Sequence, residues 1–286
     1  MTDLAAAPGL VEACWRSFVL GVVQGLTEFL PISSTAHLKA VPVLLGWGDP
    51  GLSVTAVIQL GSIAAVILYF SKELGQVLRG VTRAIERGQW REPEARLGAA
   101  MLVGTLPILV IGSLIKSFWP GYSSSPIRSI PAIAVVSIVM AILLALAERF
   151  GPRRKALDQV SGRDGLLVGL AQALALIPGV SRSGSTLTAS LFCGWTREDA
   201  ARFSFLLGIP AITISGVAEL KGAFDDPSSG GLIPLLIGVL SAALVSWLSI
   251  AWLIRYLQRH STRLFVIYRL LFGVLLLAWW AVTGSN

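Results

Sequence analysis

The sequence predicts an all-α integral membrane protein with six transmembrane helices and two re-entrant helical hairpins, arranged as an inverted-topology repeat. Three observations predict it. The chain is 54% hydrophobic and only 14% charged over 286 residues, whereas soluble domains carry about 25% charged residues. Apolar runs of about 20 residues recur, the length a helix needs to cross the hydrocarbon. Two further apolar segments are broken in the middle by Pro, Gly and Ser, and the two align with each other.

Taken in order, the N-terminal MTDLAAAPGLVEACW lacks a basic region followed by an apolar core, so no cleavable signal peptide is expected. The first broken segment covers 17–46 and is interrupted at LPISST; spans are expected at about 53–70, 97–116 and 130–148. The second covers 166–194, is interrupted at IPGVSRSGST, and precedes spans at about 203–220, 232–254 and 264–284. Each half of a broken segment is too short to cross about 30 Å of hydrocarbon. Irregular backbone at membrane depth survives only when buried in protein or lining a watery cavity. Cys14 and Cys193 lie in apolar stretches, and nothing suggests a disulfide framework.

The net charge of +7 does not point to nucleic acid, because the basic residues sit in short loops between apolar runs, where they set orientation. Segment 71–96 holds Lys72, Arg79, Arg83, Arg87, Arg91 and Arg96, and 149–165 holds Arg149, Arg153, Arg154, Lys155 and Arg163. Segments 255–263 and 195–202 add Arg255, Arg259, Arg263, Arg197 and Arg202. By contrast, 117–129 has only Arg128, and 221–231 sets Lys221 against Asp225 and Asp226. The basic segments should face the cytoplasm. The spans then alternate only if each broken segment returns to the side it entered, the first from outside and the second from the cytoplasm.

GVVQGLTEFLPISST at 21–35 lies over GLAQALALIPGVSRS at 169–183 at a constant offset of 148, with Gly21/Gly169, Gln24/Gln172, Leu26/Leu174 and Ser33/Ser181 coinciding. Each broken segment is followed by three spans. The chain is thus one membrane domain, residues 1–286, with one repeat at about 10–148 and an inverted one at about 166–284. In such a plan the broken helices meet near the midplane and form the site.

In the first hairpin Gln24 and Glu28 are i, i+4 and share a helix face. Pro31 ends that helix, and Ser33, Ser34 or Thr35 can cap the next. Ser34 and His37 are i, i+3, again on one face. Capping accounts for the hydroxyls alone, but an acid and an imidazole at membrane depth are functional candidates. In the second hairpin Gly179 and Gly184 permit positive φ and close backbone approach, and successive N–H groups there can form an anion nest. A helix starting near Ser185 would aim its positive N-terminus at the same place. Arg182 supplies a planar fork suited to phosphate, and Ser181, Ser183 and Thr186 add donors. The stretch reads as a phosphate-binding loop. If the hairpins meet, Arg182 holds a phosphate opposite Glu28, Ser34 and His37, a hydrolytic constellation. His37 can work near neutral pH; Glu28 can serve as base or, with Gln24 nearby, bind a divalent metal.

At these residues the sequence resembles the undecaprenyl-pyrophosphate phosphatase family, the bacitracin-resistance type. That family carries an (E/Q)xxxE motif, a PxSSTxH segment and a PGxSRSGxT motif. Here they read Gln24-Gly-Leu-Thr-Glu28, Pro31-Ile-Ser33-Ser34-Thr35-Ala-His37 and Pro178-Gly179-Val-Ser181-Arg182-Ser183-Gly184-Ser-Thr186. The resemblance covers essentially the whole chain. It implies removal of the terminal phosphate from a C55 isoprenyl pyrophosphate, recycling the lipid carrier of cell-wall synthesis and conferring bacitracin resistance. It also implies dependence on a divalent cation (Mg²⁺ or Ca²⁺), residence in a bacterial inner membrane with the site open to the periplasm, an inverted-repeat fold and homodimers. Glu28, Ser34, His37 and Arg182 inherit the catalytic roles. Gln24 takes the neutral alternative at the first motif position, leaving Glu28 the sole carboxylate.

Two rivals stand against this. A polyprenyl-phosphate transporter or flippase shares inverted repeats and midplane broken helices, but Ser34 and His37 would be idle in it. A type-2 phosphatidic-acid phosphatase needs a histidine several residues after its arginine; after Arg182 the only histidine is His260.

Overall fold

A computed structural model describes residues 9–48, 50–224 and 231–284. Among them the regular structure is helical, with no strand. Among the described residues five helices are long and apolar enough to cross a membrane: α5 (Pro93–Phe118), α6 (Ile130–Phe150), the Arg197–Val217 part of α9 (Arg197–Phe224), α10 (Leu232–Arg259) and α11 (Arg263–Thr283). A sixth is counted when α3 (Leu52–Tyr69) is taken with α4 (Ser71–Arg87), from which it is bent by 71°. The expected acidic residues Asp225 and Asp226 lie outside the described residues.

The sequence reading of 71–96 as a loop is corrected here: Ser71–Arg87 is the helix α4. Its cations hide an amphipathic pattern. Val77, Gly80 and Ala84 form the buried stripe, packed on α5, where Gly98 receives Val77 and Val81. Lys72, Arg79, Arg83 and Arg87 fall on another arc, so the charge is a solvated helix face.

Both broken segments are helix–turn–helix units. α1 (Leu10–Thr27) ends at the turn before α2 (Ser34–Leu44), and α7 (Gly162–Ala173) with a short 3₁₀ turn (Leu174–Leu176) precedes α8 (Arg182–Phe192). α1 packs mainly against α10, and α7 against α5. Small residues make these crossings close. A Cβ on Gly21 would lie 2.4 Å from Gly238 O, and one on Gly169 would lie 2.3 Å from Gly104 O. Lipid is as apolar as a leucine face, so such backbone approach carries the association of membrane helices.

The largest apolar cluster gathers Phe29, Phe70, Phe203, Phe205, Leu206 and Ile250 around the first break. Phe29 meets Phe205 edge-on at 5.2 Å between ring centres, so the break is buried in protein. At the opposite end of α6, Glu148 collects Arg197 Nε at 3.0 Å, Arg153 Nη1 at 3.0 Å and the Thr262 hydroxyl at 2.9 Å. One carboxylate thereby ties together α6, α9 and the α10–α11 turn.

Candidate active site

The two breaks meet. Thr27 is the last helical residue of α1, and Ser33 precedes α2 with φ 76° and ψ 96°. Ser181 holds the same place before α8, with φ 71° and ψ 114°. Left-handed backbone at a non-glycine is strained and persists where the surroundings over-determine it. Both N-caps are therefore held by their neighbours. At Ser181 the hydroxyl accepts from Gly184 N at 3.1 Å. Ser33 makes no side-chain cap, so the capping role expected of this serine cluster is not played in the first break. The peptide dipoles of α2 and α8 both start at this junction.

Glu28 is the hub. Its Oε2 accepts from Ser34 Oγ at 2.8 Å and from Gln24 Nε2 at 3.1 Å. Its Oε1 accepts from Arg182 Nη2 at 3.2 Å. The carboxylate and the guanidinium are both buried, their side chains 5% and 9% exposed. Gln24 is itself placed by a buried chain across α3 and α10: its Nε2 lies 3.4 Å from Ser62 Oγ, which accepts from Ser246 Oγ at 2.8 Å. Ser183 Oγ crosses to the first break, to Leu30 O at 3.0 Å and Glu28 O at 3.2 Å. Arg182 also donates through Nη1 to Ser204 O at 3.2 Å. Thr186 bonds Ser204 Oγ at 2.5 Å and Arg182 O at 2.8 Å.

A cavity of about 730 Å³ opens above this hub. Gln24, Glu28, Ser34 and Thr35 line it from the first break; Ala175, Leu176 and Pro178 line it from the second. Lys116, Tyr122 and Arg128 line its mouth, on the 117–129 side. Arg182 stands behind Glu28 rather than in the wall. Ser181, Ser183, Gly184 and Thr186 do not line the cavity either; their polar groups build the turn. The amides of Val180, Gly184 and Ser185 are bonded within the turn as well, to Ile177 O, Ser181 Oγ and Ser181 O. Gly179 has the positive φ its position requires, 93°. Gly184 is needed for close approach, since a Cβ there would lie 2.8 Å from Arg269 Nη1.

His37 is drawn away from the hub. Its ring stacks on Phe272 at 4.2 Å between centres, under α11. Nδ1–H donates to Ser33 O at 2.7 Å, which leaves Nε2 to accept from the Tyr268 hydroxyl at 2.6 Å. The imidazole thus holds the strained Ser33 and does not line the cavity.

Arg269 is the functional-region residue that motif reading missed. It is fully buried in α11. Its guanidinium donates to Pro31 O in the first break (3.1 Å), to Val180 O (3.1 Å) and Gly179 O (2.7 Å) in the second, and to Ser137 O (3.3 Å). One cation clamps both turns. An arginine inside the apolar run VIYRLLFGV was the available signal, because ionisable residues at membrane depth are functional candidates by default. Gly208 was also missed: it lies against the Arg182 guanidinium, where a Cβ would sit 1.8 Å from Nη1.

Comparison with known proteins agrees with the motifs. The family described as "Bacitracin resistance protein BacA" matches residues 17–275. The chain belongs to that family. It is 75% identical over 286 residues to an undecaprenyl-diphosphatase of Synechococcus sp. (strain WH7803), covering 100% of both chains. It is 71% identical over 287 residues to one of Parasynechococcus marenigrum (strain WH8102), again covering 100% of both. A third, of Prochlorococcus marinus (strain MIT 9303), is 70% identical, with 100% of this chain and 98% of that one covered. Within the BacA family's matched range lie all three motifs and the Arg269 clamp.

Proposed function

We propose that the chain is an undecaprenyl-diphosphatase, hydrolysing undecaprenyl pyrophosphate to undecaprenyl phosphate and inorganic phosphate. The observation that carries this is the Ser34–Glu28–Arg182 constellation, in which a hydroxyl and a carboxylate line the floor of the cavity and a guanidinium from the second break stands directly behind the carboxylate. The anhydride bond between the terminal phosphorus and the bridging oxygen breaks. Water's oxygen ends on inorganic phosphate, and the bridging oxygen leaves on the lipid phosphate. Arg182, turning from behind Glu28 toward the cavity, and the N-terminus of α2, whose Ser34 and Thr35 line it, neutralise the transferred phosphoryl group. Glu28, 2.8 Å from Ser34 Oγ, accepts the proton of the attacking group, whether Ser34 itself or a water it orients. His37 acts by holding the Ser33–Ser34 turn. A carrier reading leaves the Ser34–Glu28 pair without work.

A divalent cation fits as a shared ligand. Among the described residues no group of three or more His, Cys, Asp or Glu is assembled for a metal, so the protein would offer the Glu28 carboxylate and the Gln24 amide oxygen. Mg²⁺ commonly binds through one or two carboxylates plus substrate phosphates, and here it would offset phosphate charge.

The two broken segments read as re-entrant hairpins of an inverted repeat. Ser33 and Ser181, 148 positions apart, share their left-handed backbone, and α2 and α8 are both 11 residues long. The α1–α10 and α7–α5 crossings correspond under the same repeat. With the basic segments inside, the cavity mouth at 117–129 faces the periplasm of a bacterial inner membrane. The deciding experiment is phosphate release by purified protein from C15 and C55 pyrophosphates, with and without chelator. Binding of both without phosphate release would overturn the phosphatase reading.

A further inference from the structure

The buried Glu28–Arg182 pair is neutral as a unit, so the floor of the cavity exerts little net pull on a pyrophosphate approaching from the membrane surface. The pull lies at the mouth. Lys39, Lys116 and Arg128 line the same cavity, and among the described residues Glu28 is the only acidic side chain that lines it. Two of these cations, Lys39 and Arg128, are tied together. Lys39 Nζ, one turn beyond Thr35 on α2, donates to Arg128 O at 2.5 Å. The Arg128 guanidinium lies 6.0 Å from the centre of the Tyr122 ring. The Tyr122 hydroxyl donates in turn to Leu176 O in the second break. The 119–128 segment is therefore fastened to both breaks, to α2 through Lys39 and to the 174–176 turn through Tyr122. It holds Arg128 at the cavity mouth, beside Lys39 of α2 and Lys116 near the end of α5.

We propose that Lys39, Lys116 and Arg128 form a second anion subsite that holds the lipid-proximal phosphate, while the Ser34–Glu28 floor, backed by Arg182, takes the terminal one. This rests on the phosphatase reading for the identity of the substrate. Hydrolysis turns one diphosphate into two separate anions, and two subsites give each product its own seat. The cations at the mouth retain the isoprenyl phosphate after the anhydride is cut, and inorganic phosphate occupies the floor. Lys116 is exposed and Lys39 and Arg128 are half-buried, so they act on phosphate as partly screened charges, and the subsite contributes ground-state affinity and salt dependence more than chemical rate.

The test compares wild type with the Lys116→Gln/Arg128→Gln double variant, purified as the full chain. Equilibrium binding of undecaprenyl phosphate and of inorganic phosphate is measured separately from turnover of undecaprenyl pyrophosphate. The double variant should bind undecaprenyl phosphate about tenfold more weakly and inorganic phosphate as tightly as wild type. Its KM should rise about tenfold with kcat within about twofold, as for loss of uniform binding. The Lys116→Arg/Arg128→Lys variant, which keeps the charge, should stay near wild type in every measurement. Unchanged affinity for undecaprenyl phosphate, equal weakening of both ligands, or equal weakening in the charge-keeping variant would each overturn the subsite. Failure of wild type to hydrolyse, with the binding difference intact, would instead overturn the phosphatase reading and leave the subsite standing.

Discussion

Gly208 on α9 touches no substrate, yet the structure makes it the most informative position to change. A Cβ there would sit 1.8 Å from Arg182 Nη1, 2.5 Å from Cζ and 3.0 Å from Nη2. Non-bonded heavy atoms rest about 3.5 Å apart, so the guanidinium must retreat by roughly 1.5 Å. Its bonds to Glu28 Oε1 and Ser204 O, both 3.2 Å, cannot survive that shift. A misplacement of about 1 Å at a reacting centre can cost on the order of 10²-fold in rate, and Gly208→Ala is expected to lose that much kcat/KM. Stability should change far less. Overpacking costs about 1–3 kcal/mol, relieved because the obstructed atoms end a flexible side chain, and Ala regains up to about 1 kcal/mol over Gly in a helix. The assay is single-turnover phosphate release beside a thermal melt of the same preparation. In an Arg182→Lys background the clash is smaller and the Gly208→Ala penalty should shrink, a coupling that a double-mutant cycle reads directly. Wild-type turnover in folded Gly208→Ala, or a penalty undiminished in the lysine background, would refute the reasoning.

Three further outcomes are expected. Arg182→Lys alone should lower turnover severely, since an ammonium cannot offer the bidentate fork; near-normal rates would contradict the role given to that side chain. Arg269→Gln should lower the melting temperature and abolish turnover together, because charged hydrogen bonds worth about 1.5–3 kcal/mol each are lost from both turns. His37→Asn keeps a donor for Ser33 O and should retain activity within about tenfold, whereas His37→Ala should lose about 10²-fold; an Asn variant as inactive as Ala would mean the imidazole acts chemically.

The sequence and the structure part at identifiable places. Hydropathy and the interrupted segments located the helices well, because the bilayer imposes length and internal hydrogen bonding on every span. It failed at 71–87, where alternating charge masked the buried stripe of Val77, Gly80 and Ala84. Local i, i+4 and turn rules singled out Glu28 and Ser34 in one break and Arg182 in the other, and the offset of 148 between the breaks brought them into one reading. The orientation of His37 was illegible, because Tyr268 and Phe272, which capture its ring, lie more than 230 positions away. Spacing also could not reveal that the hydroxyls of Ser181, Ser183 and Thr186 are spent on the turn. Gly208 and Arg269 escaped for the same reason: their importance lies in what crosses to them from other helices.

The ion pair between Glu28 and Arg182 bears on the order in which the molecule assembles. The two side chains are 154 positions apart, so the carboxylate enters the membrane long before its counter-ion. Until then Glu28 has only Gln24 and Ser34 from its own hairpin, and a lone guanidinium arriving later has no seat unless that hairpin is already formed. Removing one member of a buried pair typically costs about 3–5 kcal/mol, because the other is left charged and alone. Glu28→Gln would therefore strand Arg182 at the stage when the second half docks. A weak yield of that variant would report on docking of the halves, and its turnover has meaning only for the fraction that has docked.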